Sequence, residues 1–200
     1  MKNYICINGK KTELTKEQLK QLGIAKEPTA TISADGKIAK IGDYEFIVIK
    51  RNEDTVELLL KDITEKRTFD SDSNNFAESE IREELNKFAD KLIGLVGKDN
   101  VVEHTVDLTT MDGLKDYGAC DCLVSLLTFD KVRENIELLD EFKLDCYWWL
   151  ATAWSTPKHD VQYSVLCVSP NGILNNNYFS IDDNGVRPFC ILKSNIFVSE

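Results

Sequence analysis

Apolar positions in this chain follow two periods. Between residues 79 and 97 they recur at helical spacing. Ile81, Leu85, Phe88, Ala89 and Leu92 share one face, Ser79 stands where an N-cap belongs, and Gly94 or Gly97 ends the run. This is the clearest helix in the sequence. Almost everywhere else the apolar runs are short, rich in β-branched and aromatic residues, and bounded by turn residues, as strands are. Tyr44–Lys50 and Thr55–Leu60 flank the turn Asn52-Glu53-Asp54 and read as an antiparallel hairpin. Leu123–Leu127 is a short apolar strand. A second helix, capped by Thr128 or Asp130, runs through Val132, Ile136 and Leu139. Glu137, Asp140 and Glu141 oppose its dipole near the C-terminal end and keep it short.

The first 42 residues look different. Residues 2–7 alternate loosely and reach Asn8-Gly9, a strong hairpin turn signal, with Lys10–Leu14 as the return strand. Thr15 and Gln18 form a capping box for a two-turn helix with Leu19 and Leu22 on its face and Gly23 after it. Residues 25–37, rich in Pro, Thr, Ser, Ala and Gly, read as a linker or exposed loop. The expected organisation is an N-terminal hairpin and helix (1–24), a linker (25–37) and a main domain (38–200).

The stretch from Cys146 to Cys190 holds all three tryptophans and closes on Gly185-Val186-Arg187-Pro188. Tyr147–Leu150 is an aromatic strand, Trp154–Asp160 a polar loop and Val161–Val168 a second strand. Pro170-Asn171-Gly172 is a tight turn, followed by a short return into Asn175-Asn176-Asn177. Val186–Leu192 is the last buried strand, with Pro188 marking an edge, an end or an irregularity.

Composition narrows the class. Two hundred residues suffice for one domain with a substantial core and a small appendage. No apolar run approaches the roughly 18 residues of a membrane span, and the N-terminus has no signal-peptide pattern, so a cytoplasmic location is expected. Net charge is −10. Residues 43–145 carry 13 basic and 26 acidic side chains, whereas 146–200 are nearly neutral, with three and four. That balance excludes the basic density needed for direct nucleic-acid binding. It suits solubility, or a protein partner with a basic surface.

No recognised catalytic pattern is present: no G-x-S-x-G, no H-E-x-x-H and no Gly-rich phosphate loop. Six widely spread cysteines make no disulfide framework, and Cys6, Cys146, Cys167 and Cys190 lie in apolar runs. Cys120 and Cys122, in GACDC, are the most site-like. With His104 and His159 they would make a mixed zinc site, but Cys-x-Cys spacing is atypical of structural zinc and of redox pairs, which usually have two intervening residues. Neither metal nor cofactor is expected. The segment SDSNNF (71–76) lacks the spacing of a calcium loop and reads as an Asx-turn that hydrogen-bonds to itself.

The order of these features resembles a family of uncharacterised domains from Firmicutes and their phages. The residues carrying the resemblance are Ser73-Asn74-Asn75-Phe76, Ser79 through Leu85-Asn86, the Thr109–Gly113 loop, Trp148-Trp149-Leu150, Asn171-Gly172 and Gly185–Pro188, spanning about 38–192. That family is similar to the C-type-lectin-like fold, also used by formylglycine-generating enzymes and retroelement variable proteins. The resemblance implies an α+β domain: a twisted antiparallel sheet flanked by two helices, with extensive loops. It implies that Trp148, Trp149 and Arg187 are structural. Family members carry an arginine after the WWL motif, where this chain has Ala151, and the lectin calcium motifs are absent.

Two loops remain as binding candidates: Trp154, Ser155, His159 and Asp160 in one, and Asn175, Asn176, Asn177, Tyr178 and Phe179 in the other. Aromatics among Ser and Asn are the composition of adaptable protein-binding surfaces. The plain alternative is that these aromatics fold back on the core. The functional expectation is a noncatalytic protein-binding module, in narrower form a phage-encoded inhibitor of a bacterial defence protein acting in the host cytoplasm. The alternatives are a cysteine-dependent oxidase-like enzyme of the formylglycine-generating type, using Cys167 and Cys190, and a structural or adhesive phage component.

Overall fold

The structure is a computed structural model that describes residues 4–7, 10–13 and 30–199. Strands β1 (Tyr4–Ile7) and β2 (Lys10–Glu13) pair antiparallel, with Tyr4 opposite Glu13 and Ile7 opposite Lys10. The expected Asn8-Gly9 turn and the helix from Thr15 to Gly23 lie outside the described residues.

The rest is a mixed α+β arrangement, mostly sheet, with no barrel. The large sheet is built from β3 (Ala30–Ile32), β4 (Ile38–Ile41), β5 (Tyr44–Arg51), β6 (Thr55–Leu60), β7 (Val101–Val102), β10 (Val124–Ser125), β14 (Phe189–Lys193) and β15 (Phe197–Ser199). Its order is β10-β14-β6-β5-β4-β3-β15, with β7 beside β10 along the same edge of β14. Neighbours are antiparallel except β15, which runs parallel to β3. Ala30–Ile32, expected within the linker, is therefore a paired strand. Ala30 and Ile32 are buried, and three residues that pair on both sides need no strong strand signal of their own.

Three further strands, β11 (Trp148–Ala153), β12 (Ser164–Val168) and β13 (Leu174–Tyr178), form a separate antiparallel sheet in that order. Strands β8 (His104–Asp107) and β9 (Ala119–Cys122) form a hairpin. Cys120 and Cys122 both lie on β9. Among the described residues three α-helices accompany the sheets: α1 (Glu80–Val96), α2 (Phe129–Glu134) and α3 (Ile136–Asp140).

Alternation along the strands divides the interior in two. Phe46, Val48, Leu58, Leu60, Cys190 and Leu192 face one core, which α1 covers with Ile81, Leu85, Phe88, Ala89 and Leu92. Ile47, Ile49, Leu59 and Phe189 face the other, covered by Val132 of α2 and Leu139 of α3. The small sheet serves both: Trp149, Val165 and Cys167 join the first core, and Trp148, Leu150, Leu166 and Val168 the second. In proteins most helical stability comes from packing an amphipathic face rather than from propensity. Burying Ile81, Leu85, Phe88 and Leu92, at about 1.5–3 kcal/mol each, together with the smaller Ala89, is what holds α1 in place.

The ends of α1 follow local chemistry. Ser79 occupies the N-cap position, but its hydroxyl donates to the Phe76 carbonyl, and the Glu80 N–H is taken by the Asp70 carboxylate at 2.8 Å. Asp70 also accepts from the N–H groups of Asp72 and Ser73, closing the turn read from SDSNNF. Burial acts to raise the Asp70 carboxyl, but these backbone donors outweigh it and hold the group below its ordinary value. Gly97, at φ 87°, supplies the left-handed stop.

Candidate functional site

The β11–β12 connection (154–163) lies against the loop that precedes β9 (108–118). Backbone pairing starts the contact: the Met111 N–H donates to the Ala153 carbonyl at 2.9 Å. Asp112 then gathers three donors. Its Oδ1 accepts from Thr110 Oγ1, while its Oδ2 accepts from Ser155 Oγ at 2.7 Å and pairs with His159 Nδ1 at 2.8 Å. Thr156 donates to Asp116 at 3.3 Å. Beneath them the fully buried Asn74 donates to the carbonyls of Ser155 and Ser164 and accepts from the Tyr117 hydroxyl at 2.6 Å. Burial acts to raise the Asp112 carboxyl. The hydrogen bonds from Thr110, Ser155 and His159, with the His159 charge, outweigh it and hold the group well below the carboxylate range.

This arrangement decides one chemical question. Ser, His and Asp converge, but the serine hydroxyl is given to Asp112 and not to His159, and Ser155 is 1% exposed. A hydrolytic triad needs the histidine between serine and carboxylate. Here the carboxylate stands between the other two, so the cluster locks two loops together and activates no nucleophile.

Around this knot exposed apolar side chains stand among charged ones such as Lys115, Asp116, Lys158 and Asp160. Met111, Trp154, Val161, Tyr163 and Tyr178 are all exposed, Trp154 at 39% and Tyr178 at 63%. Trp154 follows the Ala153–Val165 pair and donates its N–H to the Ser164 carbonyl, and Ser164 stands opposite Tyr178 in the next strand. Directly opposed residues share a sheet face. Trp154, Ser164 and Tyr178 therefore form one cross-strand row, aromatic, small, aromatic.

The sequence-predicted residues divide accordingly. Trp154, His159, Asp160, Asn175 and Tyr178 are exposed; Asn176, Asn177 and Phe179 are half-buried; Ser155 is buried. Asp160 sits in the left-handed region at φ 56° and closes the Pro157–His159 turn. Asn175–Tyr178 is not a loop but edge strand β13. Asn177 is turned inward onto Asn184 Oδ1 at 2.9 Å, and Phe179 packs on the first core. Met111, Asp112, Val161 and Tyr163 were missed. The signal for the first two was the Thr109–Gly113 loop itself, since a short Asx-containing turn beside a strand end is built to present its polar side chains.

Trp148, Trp149 and Arg187 are buried, at 2%, 0% and 1% exposure. The Trp149 indole N–H donates to the Arg67 carbonyl at 2.9 Å. Arg187 donates to the carbonyls of Leu60, Lys61 and Phe142.

Residues 111–194 match the family model described as a domain of unknown function, DUF6273. The match begins at the Met111 contact and ends beyond Arg187. It takes in the Asp112 knot, the aromatic row, β9 and the whole small sheet. It is narrower than the 38–192 span of the expected resemblance and covers under half of the chain. Neither the curated proteins nor the solved structures yielded a match to this chain.

The other polar places differ in kind. A cleft of about 870 Å³ lies away from the aromatic row, between the β4–β5 turn, the end of β6, α1 and the 141–145 loop. Its walls mix Asp43, Glu45, Asp62, Glu141 and Asp145 with Lys61, Lys91 and Lys143. His104 lines a cleft of about 240 Å³ and has Nε2 2.9 Å from Ser125 Oγ. Burial lowers its pKa and favours the neutral ring. His104 stands opposite Cys122 across the β8–β9 hairpin, but among the described residues no three His, Cys, Asp or Glu side chains converge on a metal position.

Proposed function

We propose that the 111–194 region carries a noncatalytic protein-binding module whose contact surface is the aromatic row with its apolar border: Trp154, Tyr178, Tyr163, Val161 and Met111. The observation that carries this reading is the pairing of an exposed apolar face with a rigid support. Scattered single apolar residues on a surface need no explanation, but here they gather around one loop junction. The Asp112, Asn74 and Thr156 hydrogen bonds fix the backbone beneath them. A pre-organised loop with Trp and Tyr at its edge loses little entropy on binding. The acidic 43–145 segment favours a partner with a basic surface.

Within this reading the fold is C-type-lectin-like. Support comes from the small sheet that starts at Trp148-Trp149-Leu150 and from the closing Gly185–Pro188 segment, whose arginine is buried against it. The narrower biological form is a phage-encoded inhibitor of a bacterial defence protein. The oxidase-like alternative draws no support from its cysteines. Cys167 and Cys190 are both 0% exposed, and burial pushes the Cys167 thiol up to about 12.

The test is affinity capture from a host-bacterium lysate with three baits: the native chain, Trp154→Ala/Tyr178→Ala, and Lys98→Ala on the exposed turn after α1. One protein retained by the native chain and the Lys98 variant, and lost with the aromatic double variant, supports the proposal. Equal capture by all three removes the aromatic row as the contact surface.

A further inference from the structure

Strand β9 holds a feature that the binding surface does not use. Side chains two apart on a strand point to the same face, so Cys120 and Cys122 lie side by side, with their Sγ atoms 3.7 Å apart. Cys-x-x-Cys achieves this juxtaposition on a helix turn, whereas on a strand a single intervening residue suffices. Cys120 is half-buried and Cys122 is 5% exposed. One thiol of the pair is therefore accessible and the other sits behind it.

Arg82 of α1 stands over this pair. Its Nη2 donates at 3.2 Å to the carbonyl of Asp121, the residue between the two cysteines, and its Nη1 donates to the Ala77 carbonyl. The Nε is buried and has no hydrogen-bond partner. The ionisable groups facing the thiols are few. Arg82 comes from α1. His104, neutral by burial, lies opposite Cys122 on β8, and Asp121 is turned to the outer face, where Thr105 holds it at 2.6 Å.

We propose that Cys120 and Cys122 form a dithiol–disulfide exchange centre for low-molecular-weight disulfides, with Cys120 the attacking and Cys122 the resolving thiol. The chemistry balances. The Cys120 thiolate attacks one sulfur of RSSR, the S–S bond breaks, and RS⁻ leaves and takes up a proton. Cys122 gives its proton to solvent and attacks the Cys120 sulfur, expelling the second RS⁻. Two protein thiols are oxidised by two electrons to the Cys120–Cys122 disulfide, and RSSR is reduced to two RSH.

The electrostatics agree with these roles. The hydrogen bond from Cys122, and then the Arg82 charge, hold the Cys120 thiol down to about 7 against its burial. The same hydrogen bond and burial push Cys122 up. The attacking group is thus the half-buried but accessible Cys120 thiolate and the resolving group the buried, protonated Cys122 thiol. Residues two apart on a strand have Cα atoms about 6.6–6.8 Å apart, the upper edge of the disulfide range. A bond closed at that span belongs to the exchangeable class.

The test uses the full reduced chain and glutathione disulfide as probe at pH 7. Peptide mapping should find the two-hydrogen loss on the peptide holding Cys120 and Cys122, and Cys122→Ser should retain one glutathione on Cys120. An independent measurement needs no variant: iodoacetamide labelling of the native chain, followed by peptide. Cys120 should react about four-fold faster at pH 7 than an ordinary exposed thiol, with a labelling midpoint near pH 7. Arg82→Gln should move that midpoint upward. A Cys120 midpoint at the ordinary value near 8.5, or oxidation by the probe that maps to other cysteines, would overturn the proposal.

Discussion

The guanidinium of Arg187 lies over the indole of Trp148, with its central carbon 5.0 Å from the ring centroid. Both side chains are buried, and among the described residues Arg187 enters no salt bridge, Asp62 acting on it only as a nearby charge. The charge is held instead by the carbonyls of Leu60, Lys61 and Phe142 and by the face of the ring. Burial lowers the Arg187 pKa to about 10, still far above neutrality, so the cation persists. One side chain thereby ties the end of β6, the loop after α3 and the start of β11 to the segment entering β14.

Arg187→Lys should therefore be costly although it keeps the charge. A lysine cannot reproduce the planar fork that reaches two carbonyls on one strand end and a third across the gap. A loss of about 2–4 kcal/mol is expected, the scale of charged hydrogen bonds broken in a buried setting. Urea denaturation of the two proteins measures it. A midpoint shift worth under half a kcal/mol would mean that the carbonyl contacts contribute little.

Gly185 makes a different kind of demand. A Cβ built there would stand 2.5 Å from Ile63 Cγ2, and the glycine backbone is engaged on both sides: its N–H donates to Tyr147 and its carbonyl accepts from Trp149. The residue is a glycine for close approach, since its φ is not positive. Gly185→Ala should destabilise by about 1–3 kcal/mol, the cost of overpacking. Ile63→Ala in the same chain should recover part of that loss, because it removes the clashing methyl group. A double-mutant cycle with no coupling would show that the clash is relieved elsewhere.

The two tryptophans five residues apart should behave oppositely. Trp149 is fully enclosed, packs edge-on against Phe69 at 5.8 Å and donates to the Arg67 carbonyl. Trp149→Ala should cost about 3–5 kcal/mol. Trp154 is 39% exposed, and Trp154→Ala should stay within about 1 kcal/mol, the range of surface substitutions. Denaturation of both variants, with tryptophan fluorescence as readout, checks this. Equal losses would mean that Trp154 belongs to the core.

How far the sequence carries the fold depends on where the information lies. The helical face from Ile81 to Leu92 was readable because it is local and periodic, and so was the Tyr44–Leu60 hairpin. The pairing of Ala30–Ile32 with β4 and β15 was not: β15 lies more than 160 residues away in the chain, and three small or β-branched residues in a Pro- and Thr-rich stretch look like linker. Cys120–Cys122 was hidden in a polar stretch because the alternation of β9 spans only four residues, two of them cysteine. At the proposed binding face, Trp154 and Tyr178 were legible by type. Ser155 was misleading, since only the fold reveals that its hydroxyl is spent on Asp112.

Asp112 yields a prediction whose sign follows from its environment. Its carboxyl is held below its ordinary value of about 3.9 in the folded chain. A group of this kind contributes stability that is fully present above its unfolded pKa and is lost as pH falls toward the folded value. At neutral pH, Asp112→Asn should weaken the Thr110, Ser155 and His159 contacts and lower stability, by about 1–2 kcal/mol on the scale of exposed-to-half-buried charged hydrogen bonds. Below about pH 4 the unfolded chain takes up a proton at Asp112 while the folded carboxyl stays ionised, so the gap between native and variant should shrink. Other acidic groups affect both proteins alike and cancel in the difference. Urea denaturation of the pair at pH 7, 5, 4 and 3 measures the gap. A gap unchanged down to pH 3 would mean that the ionised carboxylate is not what joins the loops. If instead it narrows as expected, Asp112→Asn should also weaken partner capture at pH 7, because Trp154 and Tyr178 then sit on a junction that is no longer fixed.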